Sequence, residues 1–172
     1  MKKILCFSGS TRKESTCMTI LQNIASRHSQ QADFIIYPDL AKLPHFDPNA
    51  EDEAVPEIVQ DLRSVVSAAD AVIFCTPEYV FSVPAILKNA IEWCVAATAF
   101  SDKPTAMIVA SGAGEATFES LGVILKTIQC RLLPAAMLHL KGARAKVVAG
   151  QLSDEIALEK LDTLVSALLL QV

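Results

Sequence analysis

Val55-Pro56-Glu57-Ile58-Val59-Gln60-Asp61-Leu62-Arg63-Ser64-Val65-Val66-Ser67-Ala68-Ala69 runs almost without a break into Ala71-Val72-Ile73-Phe74-Cys75. In the first part Val55, Ile58, Val59, Leu62, Val65, Val66 and Ala69 recur at spacings of three and four, the period of a helix with one buried face. Pro56 suits its first turn. The second part is apolar at every position, which predicts a strand covered on both faces, as in the middle of a parallel sheet. Pro77 stops it. A helix that feeds directly into such a strand is the repeating step of an α/β sheet.

The same alternation extends in both directions. Upstream lie a strand at Lys3 to Phe7 and a helix from about Thr16 to Arg27, with Met18, Leu21, Ile24 and Ala25 on one face. A short strand, Phe34 to Tyr37, and an irregular loop, Leu43-Pro44-His45-Phe46-Asp47-Pro48, follow. Downstream come a helix from Pro84 to about Ala97 and a strand from Ala106 to Ala110, ending at Ser111-Gly112-Ala113-Gly114. A helix from Ala116 to Cys130, a strand from Ala136 to Leu140 and a last helix from Asp154 to Leu170 complete the pattern. Leu161, Leu164, Val165, Leu168 and Leu169 face inward on that last helix. Five strands alternating with five helices predict a doubly wound parallel sheet with helices on both faces. In such sheets ligands sit outside the carboxyl ends of the strands, so the loops after strands one, three and four should share one crevice.

At 172 residues, 52% of them apolar, the chain fits one domain spanning residues 1–172. A formal charge of -4 and a pI near 5.3 argue against a nucleic-acid binder, which needs a basic surface. Met1-Lys2-Lys3 opens like a signal peptide, but the apolar run Ile4-Leu5-Cys6-Phe7 is too short for one or for a spanning helix. The expectation is a cytoplasmic protein without membrane partners. Cys6, Cys17, Cys75, Cys94 and Cys130 are odd in number and scattered, with no metal-ligand spacing, so they read as reduced thiols.

Ser8-Gly9-Ser10-Thr11-Arg12-Lys13-Glu14-Ser15, between strand one and helix one, has the chemistry of an anion site. Its hydroxyls and the Arg12 fork can bind a phosphate, and the helix behind it presents free N–H groups and a positive dipole end. An ordinary turn with Ser15 as N-cap is the plainer alternative. Nucleotide-triphosphatase and dinucleotide glycine patterns are absent. Cys6-x(5)-Arg12 also matches the spacing of cysteine-dependent phosphatases, in which a thiolate attacks phosphorus. That chemistry would need Cys6 to leave the apolar run that holds it.

The segment after strand three decides between them. Thr76-Pro77-Glu78-Tyr79-Val80-Phe81-Ser82-Val83-Pro84-Ala85-Ile86-Leu87-Lys88-Asn89-Ala90-Ile91-Glu92-Trp93, taken with Gly9-Ser10-x-Arg12-x-x-Ser15, resembles the NADPH-dependent FMN reductases. The resemblance implies a flavodoxin-like sheet of order 2-1-3-4-5 and a non-covalent FMN, with NAD(P)H as co-substrate. It implies a phosphate held by Ser10, Arg12 and Ser15 with Thr16 and Cys17 beside them. The ring would lie against Pro77, Glu78, Tyr79 and Val80, with Ser111 and Gly112 closing the other side. Hydride transfer then belongs to the flavin, and no catalytic acid or base is expected. The implied acceptors are free flavin, quinones, azo compounds or similar small molecules, reduced by a homodimer or homotetramer. Where the family carries Asn, this chain has Cys17 and Val80, and each change removes a side-chain amide near the cofactor.

The remaining conspicuous residues read as structural. Trp93 and Phe100 should fill core or subunit interface, and Tyr79 and Phe81 either wall the nicotinamide site or pack. His28, His45 and His139 show no partner pattern. Glu51-Asp52-Glu53 reads as a solvated helix start.

Overall fold

The computed structural model describes residues 1–12, 14–50 and 55–172, so Lys13 and the Glu51-Asp52-Glu53 run lie outside the described residues. The chain order is β1 (Lys3–Ser8), α1 (Thr16–Arg27), β2 (Asp33–Ile36), α2 (Glu57–Ala68), β3 (Ala71–Thr76), α3 (Ala85–Trp93), β4 (Pro104–Ser111), α4 (Glu115–Thr127), β5 (Arg131–Lys141), β6 (Val147–Val148), β7 (Gln151–Leu152) and α5 (Glu155–Leu169). Strands β1 to β5 form one parallel sheet in the order β2-β1-β3-β4-β5. That is the expected doubly wound sheet.

Alternate strand residues feed two separate cores, because side chains on a strand point to opposite faces. Leu5, Phe7, Val72, Phe74, Met107 and Val109 pack beneath α2, α3 and α4. Ile4, Cys6, Ile73, Cys75, Ala106 and Ile108 pack beneath α1 and α5. β3 is buried at all six positions, as its unbroken apolar run predicts. Trp93 and Phe100 belong to the first core; Trp93 donates its ring N–H to the Pro44 carbonyl at 2.8 Å and meets Phe46 edge-on.

Helix starts follow their capping chemistry. Ser15 Oγ accepts from the Met18 N–H at 3.0 Å, and Asp154 Oδ1 accepts from the Ala157 N–H at 2.8 Å. Two expectations need correcting. α3 ends at Trp93 rather than near Ala97, because the chain turns there and Thr98 adopts a φ of 47°. β5 begins at Arg131, five residues before the predicted strand, and reaches β4 through a register irregularity between Thr105 and Met107. The β6–β7 hairpin, between β5 and α5, has no counterpart in the sequence reading.

No helix among the described residues is long and apolar enough to cross a membrane. No group of three or more metal-ligating side chains occurs among them either.

Candidate functional site

The sheet order reverses between β1 and β3, and the loops leaving β1, β3 and β4 surround a cavity of about 730 Å³. That volume is ordinary for a small-molecule site. The first two loops are packed so closely that only glycine fits at position 9. Its N–H donates to the Cys75 carbonyl at 2.8 Å, and a Cβ there would stand 2.2 Å from Thr76 Oγ1.

One end of the cavity is built from the β1 loop and the first turn of α1. Ser10, Arg12, Ser15, Thr16 and Cys17 line it, with Glu14 as the one carboxylate on that side. Ser15 uses its oxygen as the helix cap, which leaves its O–H free to donate outward. Ser10 Oγ accepts from the Arg12 N–H at 3.4 Å and lies 3.3 Å from the Tyr79 hydroxyl, so the two loops are tied together. Arg12 has no side-chain partner among the described residues.

The opposite end is built from Pro77, Glu78 and Tyr79 after β3 and from Ala110, Ser111 and Gly112 after β4. Glu78 Oε2 accepts from the Thr117 N–H at 3.0 Å. Because Gly114 caps α4 without a side chain, Glu78 does the capping from a neighbouring loop. Gly114 itself, at φ 102°, sits where a Cβ would come within 2.8 Å of His139 Nε2. That ring nitrogen donates to the Ala113 carbonyl at 2.6 Å, and the imidazole stacks on Phe118. His139, to which the sequence reading gave no chemistry, therefore positions the β4 loop. Gly112 differs: nothing lies within 4 Å of where its Cβ would be, and that space opens onto the cavity. The N–H groups of Thr11, Glu78, Gly112 and Ala113 meet no protein acceptor among the described residues.

Ten of the eleven residues expected at the site line this one cavity. Val80 is the exception, 94% exposed at the tip of a tight turn. Cys17 is part of the wall but only 1% exposed, so its role is packing rather than open thiol chemistry. Burial pushes the pKa of Cys75, in the same core, well up. Burial likewise pushes Cys6 up to about 12, which removes the thiolate a phosphatase would need. The sequence reading missed Thr19 and Gln22, farther along α1, and Arg144, Val147 and Gly150 of the segment after β5. Thr19 and Gln22 could have been found by following the polar face of the predicted helix. Arg144 carried no local signal.

Comparison with known proteins identifies the family and the fold. The family model described as NADPH-dependent FMN reductase matches residues 2–144. The NADH:(hydroxy)cinnamate reductase subunit CrdA of Vibrio ruber is 35% identical, over 92% of this chain and 81% of that protein. A quinone reductase of Pseudomonas putida is 33% identical, over 86% of this chain and 82% of its own length. Among solved structures, FerB of Paracoccus denitrificans, a flavoenzyme NAD(P)H:(acceptor) oxidoreductase, superposes with a TM-score of 0.84 at 26% identity. That match covers 99% of this chain and 97% of FerB.

Proposed function

The chain belongs to the NADPH-dependent FMN reductase family, and from that premise we propose how its cavity holds FMN and serves reduction. The protein is an NAD(P)H-dependent oxidoreductase of the FMN reductase and quinone reductase type, with a flavodoxin-like fold. Bound FMN supplies the hydride chemistry, with nicotinamide and acceptor using the site in turn, so no side chain has to act as acid or base.

The protein's own contribution is binding and orientation. Ser10, Arg12 and Ser15, with the first-turn N–H groups at Thr16 and Cys17, hold the phosphate. Pro77, Glu78 and Tyr79 would face the ring on one side, and Ser111 and Gly112 would close the other. The observation that carries this reading is the set of unpaired donors on residues that line one cavity: the Arg12 guanidinium together with the N–H groups of Glu78 and Gly112. A guanidinium and free backbone N–H groups gathered around one concave site suit a ligand rich in acceptors. The free space beside Gly112 also suits a flat ring, which a side chain there would displace.

The acceptors are free flavin, quinones, azo compounds or similar small molecules. The 172 residues act as one FMN-binding domain in the cytoplasm. The unit is a homodimer or homotetramer, supported by exposed Val95 just beyond α3 and Val123 on α4.

Titrating the purified protein with FMN should quench flavin fluorescence, and adding NADPH with a quinone should then oxidise the NADPH. Flavin binding without NADPH oxidation would sink the oxidoreductase role in favour of a flavin-binding protein. No binding at micromolar FMN would sink the cofactor assignment. Arg12→Ala should weaken FMN by about 1.5–3 kcal/mol, the worth of a charge-assisted contact.

A further inference from the structure

Arg27, Arg63 and Arg131 each donate to a protein oxygen: the Asp162 carboxylate and the carbonyls of Trp93 and Gln171. The other two arginines, Arg12 and Arg144, have no side-chain partner among the described residues, and both line the same cavity. Arg144 lies at the end of the family match, in a turn at Ala143–Lys146 that leads into the β6–β7 hairpin.

That turn is firmly held. The Gly142 N–H donates to the Gly112 carbonyl at 3.3 Å, Ala143 is buried, and Lys146 pairs with Asp154 at 3.0 Å. A cation on an anchored turn loses little entropy when it meets an anion. The carboxylates facing it across the cavity are Glu14 and Glu78, and Glu78 is already engaged by the Thr117 N–H.

We propose that Arg144 is a second phosphate-monoester recognition residue of this cavity, in addition to Arg12. The proposal rests on the FMN reading above. Arg144 shares the cavity wall with Thr16, Cys17 and Thr19 of α1, the helix whose N-terminus closes the phosphate end, so the 5′-phosphate of FMN is the favoured source. Arg144 then offsets the donor that Cys17 does not supply. The other phosphate monoester within the reaction is the 2′-phosphate of NADPH.

Fluorescence titrations of wild type, Arg144→Gln and Arg144→Lys with FMN and with riboflavin separate the cases. Arg144→Gln should raise the FMN Kd about tenfold or more, leave riboflavin unchanged, and be partly rescued in Arg144→Lys. Melting temperature should stay constant, because the side chain is exposed and unpaired. An unchanged FMN Kd with a raised KM for NADPH but not NADH would overturn the FMN source and assign the contact to the nicotinamide cofactor. No change in either would overturn the role. A wild type that binds FMN no better than riboflavin, with Arg12→Ala silent, would break the underlying phosphate site instead.

Discussion

Val80–Phe81 and Ala149–Gly150 are the central pairs of two tight hairpin turns, one after β3 and one between β6 and β7. Both have the backbone of a two-residue turn with positive φ: 52° and 56° in the first, 49° and 76° in the second. The first is closed by paired hydrogen bonds between Tyr79 and Ser82, the second by Val148 opposite Gln151. Glycine at the second position suits such a turn, which leaves only Ala149 strained in the second hairpin. A β-branched residue followed by an aromatic one does not suit it, since left-handed φ costs about 1–2 kcal/mol per ordinary residue. Nor does burial offset that cost, because Val80 and Phe81 are 94% and 80% exposed.

The difference shows what holds each turn. In the second, Gly150 matches its backbone and the strain is confined to Ala149. The first persists because its flanks are over-determined: Glu78 caps α4, Tyr79 is tied to Ser10, and Val83 is buried ahead of Pro84 and α3. Strained residues that survive in this way gather at functional sites. Here the strain sits at the rim of the cavity.

Four variants probe that contrast. Glu78→Ala should cost the most, about 1.5–3 kcal/mol, because it removes a carboxylate that satisfies a helix N-terminal N–H. Urea unfolding measures it, and a loss indistinguishable from zero would show that the flank does not hold the turn. Val80→Asn combined with Phe81→Gly should stabilise the protein by about 1–2 kcal/mol by giving the first turn the residues it prefers. An unchanged urea midpoint would mean the strain is absent in solution. Gly150→Val makes the reverse change in the second turn. Since nothing lies within 4 Å of its Cβ position, only backbone strain of about 1 kcal/mol is expected. A much larger loss of melting temperature would point to a contact there. Tyr79→Phe, which deletes only the 3.3 Å link to Ser10, should cost about 0.5–1 kcal/mol in stability. A more severe effect would make that link the main anchor.

The two turns also mark how far the sequence could be read. α1 falls where its capping serine and periodic face predict, and β3 extends one residue beyond its apolar run. The Thr76 to Trp93 segment placed the first turn at the site before any coordinates. It could not place Val80 outside the cavity wall, because that depends on a φ sign a side-chain list does not carry. The β6–β7 hairpin was illegible for another reason. Two-residue strands have no periodicity to detect, and their pairing is decided by what lies beneath them, here α1 and the Lys146–Asp154 tie. α3 was overextended because Val95-Ala96-Ala97 continues the apolar pattern although the chain has already turned.

By itself, then, the sequence determined the layered sheet and the end of the cavity built from the β1 loop and α1. Apolar runs and helical periods are local consequences of burial, and the β1 loop and α1 are contiguous in the chain. Only the tertiary structure decided that Glu78 caps α4, that His139 positions the β4 loop, and that Arg144 reaches the same cavity as Arg12. The two hydrogen bonds join residues 26 and 39 positions apart in the chain, and the two arginines that share the cavity are farther apart still. Nothing local encodes them, because their partners become neighbours only once the parallel crossovers have closed.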